Sequence, residues 1–125
     1  MAEVLLNSTE ICAEVTPECH SNAPARFPYS AGALGKTAAV FSALGDPERL
    51  RVLVALAEGR RCVGALAEEV GESMSLISQR LKILCRAELI VRERAGRHVH
   101  YRLADEHTVR LLVNGFDHAV GRAGE

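Results

Sequence analysis

Two histidines near the end of the chain, His107 and His118, have a spacing that could build a metal site, and Asp105 lies just before them. Residues 108–117 between them are predicted to form one helix. Eleven residues make almost a whole number of turns, so both imidazoles lie on nearly the same face, about 16 Å apart along the axis. One ion with ligand bonds of about 2 Å cannot contact both. If the same helix of a second chain runs antiparallel beside it, His107 meets the partner's His118, which predicts two symmetric sites in a dimer.

Length and composition favour a single globular domain. The chain has 125 residues, of which nearly half are apolar, so a core can form. No apolar run approaches the ~20 residues of a membrane span, and the N-terminus lacks the basic start and apolar centre of a signal peptide. We therefore expect a cytoplasmic protein with no membrane partner. The four cysteines are then expected to be thiols or metal ligands rather than a disulfide framework.

The first 30 residues differ in composition from the rest of the chain. They are polar, contain three prolines and show no sustained period, which predicts a flexible arm over residues 1–30. A folded domain is predicted over residues 31–121, followed by a short tail over 122–125. Four helices open this domain. Residues that typically begin or end a helix bound three of them: Asp46, Pro47, Gly59, Gly71 and Ser73.

The helix bounds follow from apolar periodicity. The first helix is predicted over 31–44, with Leu34, Ala38, Phe41 and Leu44 on one stripe. The second begins at Pro47, with Leu50, Leu53, Val54 and Ala57 as its apolar face. Two shorter helices over 63–70 and 74–86, joined by a tight turn containing glycine, make a helix-turn-helix.

A hairpin and a last helix complete the domain. Residues 89–94 and 97–103 alternate around Ala95-Gly96, as β-hairpin strands do. Asp105 is expected to cap the last helix, whose apolar residues are Val109, Leu112, Val113, Phe116 and Val120. The predicted fold is mainly α with a small β-hairpin (α+β), a winged helix-turn-helix.

The charge distribution indicates nucleic acid as a partner. The net charge is only −1, yet residues 73–102 contain seven Arg and Lys residues against Glu88 and Glu93. The helix over 74–86 carries polar side chains opposite its apolar face, and these could read base edges or contact phosphates in the major groove: Ser75, Ser78, Gln79, Arg80 and Lys82. Cations at the hairpin tip, Arg94, Arg97 and His98, would lie over the DNA backbone or minor groove. A solvated surface without a ligand is the alternative for both sets.

Four motifs carry a resemblance to a known family. They occur in order along residues 31–120 and are Asp46-Pro47-Glu48-Arg49-Leu50-Arg51, Cys62-Val63-Gly64, Ser75-Leu76-Ile77-Ser78-Gln79-Arg80-Leu81 and Gly96-Arg97-His98-Val99-His100-Tyr101. The chain resembles the ArsR/SmtB family of dimeric winged-helix repressors, which release operator DNA when metal binds. The resemblance implies a homodimer through the first and last helices, operator double-stranded DNA as partner and a metal ion as inducer. Gln79 replaces a histidine that many members carry, which leaves the operator sequence open.

The family's zinc site on the last helix is similar to Asp105, His107 and His118. Relatives usually supply a fourth ligand three residues after the second histidine, where this chain has Gly121. Carboxylate and imidazole ligands suit Zn(II). Two histidines that merely face solvent are the alternative.

A second set of metal ligands is rich in sulfur. Cys62 matches a cysteine that some cadmium, lead, zinc and copper sensors of the family use, and the arm offers Cys12, Cys19 and His20 as the remaining ligands. Three thiolates and an imidazole favour Cd(II), Pb(II) or Cu(I) as well as Zn(II). Gly64 and Ala65 replace ligands found in relatives. Cys85, in contrast, is expected to be a core residue.

These features predict a metal-responsive repressor. A thiol-based redox sensor of the same fold, which pairs cysteines, is the alternative. We expect no enzyme, because the sequence shows neither a nucleophile–base–orienter pattern nor a phosphate-binding loop.

Overall fold

The computed structural model describes Phe27 and residues 29–121. Over these residues the chain forms five helices and one hairpin, in the order α1 (Ala31–Leu44), α2 (Pro47–Ala57), α3 (Val63–Val70), α4 (Met74–Arg86), β1 (Ile90–Ala95), β2 (His98–Leu103) and α5 (Glu106–Val120). The predicted winged helix-turn-helix is therefore confirmed. Of the predicted arm, only Phe27, Tyr29 and Ser30 are among the described residues, and the tail lies outside them.

Side-chain caps explain where the helices begin. The backbone N–H of Arg49 donates to Asp46 Oδ2 at 3.0 Å, with Pro47 at the first helical position. At the start of α4, the N–H of Leu76 donates to Ser73 Oγ at 3.2 Å. Each cap satisfies one of the N–H groups that a helix start leaves without an intrahelical acceptor. These caps confirm the predicted starts of α2 and α4.

The turn between α3 and α4 orients the two helices of the helix-turn-helix. Gly71 ends α3 with a φ of 81°, and the N–H groups of Gly71 and Glu72 both donate to the carbonyl of Ala67. This left-handed conformation is accessible to glycine without steric cost. The predicted stop at Gly71 is thus confirmed.

The core lies among α2, α3, α4 and the start of β1. Its largest fully buried side chains are Val52, Leu53, Leu66, Ile77, Leu81 and Leu84. The predicted apolar face of α2 is wrong in part, because Val54 is 40% exposed and Ala57 is exposed, whereas Val52 and Leu56 are buried. In α1 only Ala43 is buried, and Leu34 and Phe41 remain exposed at 55% and 59%.

The hairpin is fixed to the helices through β2. Its strands pair antiparallel from Ile90↔Leu103 to Ala95↔His98, so Gly96 and Arg97 form a two-residue turn, with Gly96 at a φ of 64°. Both strands thus begin one residue later than predicted. Each of Arg61 and Tyr101 donates its N–H to the other's carbonyl, at 3.0 and 2.8 Å. This pair ties the wing to the segment that precedes α3.

No helix in the described part of the chain is long and apolar enough to cross a membrane.

Candidate nucleic-acid interface and metal ligands

One face of α4 presents polar and cationic side chains to solvent. Ser75, Gln79, Lys82 and Arg86 are exposed. Their spacing of four, three and four residues places them on one stripe of the helix. Ile77, Leu81 and Leu84 hold the opposite face in the core. The stripe combines an amide that can pair with adenine and cations that can contact guanine or phosphate.

The two remaining predicted residues of α4 lie outside this stripe. Ser78 is exposed on its flank. Arg80 is half-buried, and its Nη1 is buried without a hydrogen-bond partner among the described residues. By helical geometry Arg80 follows Ile77 by only three positions, so it lies nearer the core side than the solvent face. The prediction that Arg80 lies opposite the apolar face is therefore wrong.

The tip of the wing is cationic and exposed. Arg94, Arg97 and His98 are all exposed, as expected for side chains that would reach DNA. The rings of His98 and His100 lie on the same side of β2, with centroids 6.2 Å apart. The tip of the wing is therefore a second positive surface, in addition to the α4 stripe.

Not every arginine of the basic stretch is available to a ligand. Arg102 Nε donates to Glu93 Oε2 at 2.9 Å, and its Nη1 donates to the carbonyls of Leu103 and Ala104. Arg102 thus stabilises the base of the hairpin. Arg86, in contrast, extends the exposed stripe of α4 beyond the residues singled out from the sequence. The four-residue step from Lys82 is the signal that could have found it.

The first two ligands of the predicted zinc site lie together at the start of α5. His107 Nδ1 is 3.8 Å from Asp105 Oδ2, and both side chains are exposed. Asp105 also caps α5, because the N–H of Thr108 donates to its Oδ1 at 3.1 Å. This hydrogen bond is the main reason that the pKa of the Asp105 carboxyl lies below its usual value, and His107 lowers it further. An ionised carboxylate beside an imidazole suits a divalent cation.

The third predicted ligand lies far from the other two within one chain. His118 is exposed and lies eleven positions from His107, which is about three helical turns, or about 16 Å along the axis. No group of three or more His, Cys, Asp or Glu side chains within the described ranges could hold a metal ion. The side-chain types fit zinc, but one chain supplies only part of the set.

Cys62 occupies the start of α3. Its Sγ accepts the N–H of Ala65 at 3.5 Å, and the residue is half-buried. Cys85 is also half-buried and packs against the core, as predicted. Burial raises the pKa of the Cys85 thiol, an effect that Arg92 partly opposes. The other predicted ligands of the sulfur-rich site, Cys12, Cys19 and His20, lie outside the described residues.

Helices α1 and α5 expose an extensive apolar surface. On α5, the exposed apolar residues follow a single stripe: Val109, Val113, Phe116 and Val120. A cavity of about 270 Å³ between α1, α2 and α5 is lined by Phe41 and Phe116, with Leu44, Leu50 and Leu112 among its other walls. Contiguous exposed apolar surface of this kind marks an interaction site.

The histidines and the apolar stripe lie on different sides of α5. His107 is two residues from Val109, and His118 is two residues from Phe116. At 3.6 residues per turn, each histidine is rotated by about 160° from its stripe neighbour. The histidine side of α5 and its apolar stripe therefore cannot both face the same neighbouring helix.

Comparison with known proteins relates these features to a family. The model of the bacterial regulatory protein, arsR family, matches residues 46–91, which include α2, α3 and α4. A transcriptional repressor SmtB homolog from Synechocystis is 45% identical over 78 residues, which cover 62% of this chain and 59% of that protein. The chain thus spans less than two thirds of the length of this relative.

Two solved structures cover most of their own chains. The homodimeric winged helix-turn-helix DNA-binding domain of a possible ArsR-family regulator from Mycobacterium bovis has a TM-score of 0.68 at 31% identity, covering 78% of this chain and 94% of that one. The AntR antimony-specific transcriptional repressor has a TM-score of 0.63 at 30% identity, covering 82% and 90%. Sequence and fold agree with the helix-turn-helix and wing described above. The chain belongs to the arsR family of bacterial regulatory proteins.

Proposed function

We propose that this protein is a metal-responsive transcriptional repressor that binds operator DNA in the cytoplasm as a homodimer. The observation that carries the proposal is the exposed stripe of Ser75, Gln79, Lys82 and Arg86 on α4, together with an exposed cationic wing tip. An α-helix fits the major groove, where an amide and cations can contact base edges and phosphates. The M. bovis neighbour, described as a homodimeric DNA-binding domain, supports the same arrangement.

The apolar surface of α1 and α5 supports the dimer. Leu34 and Phe41 on α1 and the stripe of α5 would be buried against a second copy of the chain. Because the histidines lie across α5 from that stripe, we propose that the stripe packs on the partner's α1 while the histidines face the partner's α5. A dimer places its two recognition helices in successive major grooves only if they are about 34 Å apart. Dimer geometry therefore controls DNA affinity.

The last helix offers the first metal site. Asp105 and His107 of one chain would hold Zn(II) together with His118 from the antiparallel helix of the second chain. Zinc bound there would link the two subunits. A ligand shifts the equilibrium between two states only through different affinities for them. Because the ligands are divided between the two subunits, the affinity for the metal depends on the geometry of the dimer.

The start of α3 offers the second site. Cys62 is half-buried next to the helix-turn-helix, and its thiol has no stronger contact among the described residues than the N–H of Ala65. With Cys12, Cys19 and His20 it would favour Cd(II), Pb(II) or Cu(I), or Zn(II). The antimony specificity of AntR belongs to that protein, and its likeness to this chain supports a metal or metalloid ion as inducer.

One experiment separates the two sites. A duplex is first selected by the metal-free protein from a random-sequence pool, and its binding is followed by fluorescence anisotropy during titration with each ion. The wild type is compared with His118→Ala and Cys62→Ser. The matched controls are Asn114→Ala, on the surface of α5, and Cys85→Ser, the other described cysteine.

The outcomes are distinct. If His118→Ala abolishes metal-induced release, the last helix is the sensor, and if Cys62→Ser abolishes it, the sulfur-rich site is. Unchanged DNA affinity of the wild type with every ion would refute metal control. Release by a mild oxidant without metal, with an intramolecular disulfide detected by mass spectrometry, would instead establish the redox sensor.

A further inference from the structure

A groove between α1 and the C-terminal end of α4 lies on the side of α1 away from α5. Two adjoining cavities form it, of about 370 and 190 Å³, and they share the walls Ala39, Arg86 and Ala87. The exposed side chain of Ile83 and the half-buried Val40 contribute apolar surface. Its walls differ from those of the cavity between α1 and α5, so it is a separate surface.

Three cations line this groove. Lys36 and Arg86 are exposed, and Arg49 is held between α1 and α2 by donating from Nε to the carbonyl of Ala43 at 2.8 Å and from Nη2 to that of Ser42 at 3.1 Å. Glu88 is the acidic residue among the lining side chains. The groove is therefore positive and partly apolar, which matches an acidic segment that also carries apolar residues.

The chain itself contains such a segment. Residues 1–25 include four glutamates and no lysine or arginine, and three of the glutamates, Glu10, Glu14 and Glu18, recur every fourth residue. Ile11 and Val15 lie between them. At up to about 3.3 Å per residue, the residues between Glu18 and the start of α1 can easily extend along the length of α1.

We propose that the acidic segment Glu10–Glu18 binds in the groove between α1 and α4, with its carboxylates on Lys36, Arg49 and Arg86. Arg86 belongs both to the groove and to the exposed stripe of α4, so a carboxylate on Arg86 removes one cation from the surface offered to DNA. The arm thereby lowers DNA affinity in the absence of any inducer. This inference does not depend on either metal site.

Zero-length carbodiimide cross-linking tests the contact directly, since it joins a carboxylate to an amine only when the two touch. The sequence has just two lysines, Lys36 in the groove and Lys82 on the DNA face of α4. The arm is released by trypsin as one peptide, residues 1–26. The full-length protein without DNA is treated at low salt, digested and examined by mass spectrometry.

The expected product joins peptide 1–26 to the peptide that contains Lys36. Its yield falls as salt is raised, because exposed charges are screened, and it disappears in the triple variant Glu10→Gln, Glu14→Gln, Glu18→Gln. Lys82 is the internal control, as it is an exposed amine outside the groove. A product at Lys82 without one at Lys36, or no product of the arm with either lysine, overturns the proposal.

A double-mutant cycle tests the effect on DNA. The triple variant is expected to bind a duplex a few-fold more tightly at low salt, as for one additional phosphate contact. Removal of negative charge could raise affinity wherever the arm lies, so the same triple change is also made with Arg86→Gln. If the arm masks Arg86, most of the gain disappears in that background. An equal gain in both backgrounds would contradict the masking of Arg86.

Discussion

Individual side chains on α4 have different roles in the proposed DNA interface. Gln79 carries an amide that can discriminate bases, whereas Lys82 carries a point charge suited to phosphate. Helical periodicity was enough to predict that both are exposed. It could not predict the place of Arg80, because a residue three positions from buried Ile77 lies at the edge of the buried face, where packing of a long side chain decides its exposure.

Substitutions at these two positions should have different signatures. Lys82→Ala should weaken binding to all duplexes about equally and reduce the slope of log affinity against log salt by about 1. Gln79→Ala should cost about 1–3 kcal/mol on the selected duplex and relax its sequence preference. Anisotropy titrations over several salt concentrations and duplexes measure both effects.

The charge-preserving change Lys82→Arg is the control and should restore the salt slope. If Lys82→Ala left both affinity and salt slope unchanged, this face of α4 would not contact DNA.

At the scale of elements, the ends of the helices show what sequence patterns can and cannot reveal. Gly71 could be recognised as a helix stop because glycine favours the left-handed conformation that it adopts. The end of α4 has the same geometry with a different residue: Glu88 has a φ of 60°, and the N–H of Leu89 donates to the carbonyl of Leu84. A glutamate gives no sequence signal for this conformation, which local hydrogen bonds and the burial of Leu89 impose.

Opposite effects on stability are expected at these two ends. Gly71→Ala should lower the free energy of unfolding by about 1–2 kcal/mol, because it places a Cβ in the left-handed region although the space around it is open. Glu88→Gly should raise it by up to about 1 kcal/mol, since relief of that strain exceeds the entropy that glycine adds to the unfolded chain. Urea unfolding at one fixed protein concentration measures both changes. A stabilised Gly71→Ala variant would show that φ at this position is not constrained as described.

At the scale of the whole molecule, many of the apolar residues of α1 and α5 do not pack in the core of their own chain. Their periodicity predicted the helices, but a stripe that faces a partner has the same pattern as one that faces the core. Leu112 is buried, whereas Val109, Val113 and Phe116 on the same helix are exposed. Which face serves which purpose follows only from the packing. The arm ligands Cys12, Cys19 and His20 stay predictions, because they lie outside the described residues.

The assembly can be tested at the centre of that apolar surface. Phe116→Glu should convert the dimer into a folded monomer, because a charge would be buried against apolar side chains at the proposed interface. Sedimentation equilibrium measures the mass, and circular dichroism confirms that the helices remain. Met74→Glu, at an exposed apolar residue of α4, is the matched control and should stay dimeric. A dimeric Phe116→Glu variant would exclude an interface that buries Phe116.

Coupling between metal and DNA is the central claim for the assembled protein, and it must be reciprocal. The most direct test is the affinity for Zn(II), measured against a chelator of known affinity, for the free dimer and for the dimer saturated with the selected duplex. The duplex should weaken zinc binding by the same factor by which zinc weakens duplex binding, about 5- to 150-fold. Equal zinc affinities for the free and the DNA-bound dimer would contradict regulation by zinc at either site.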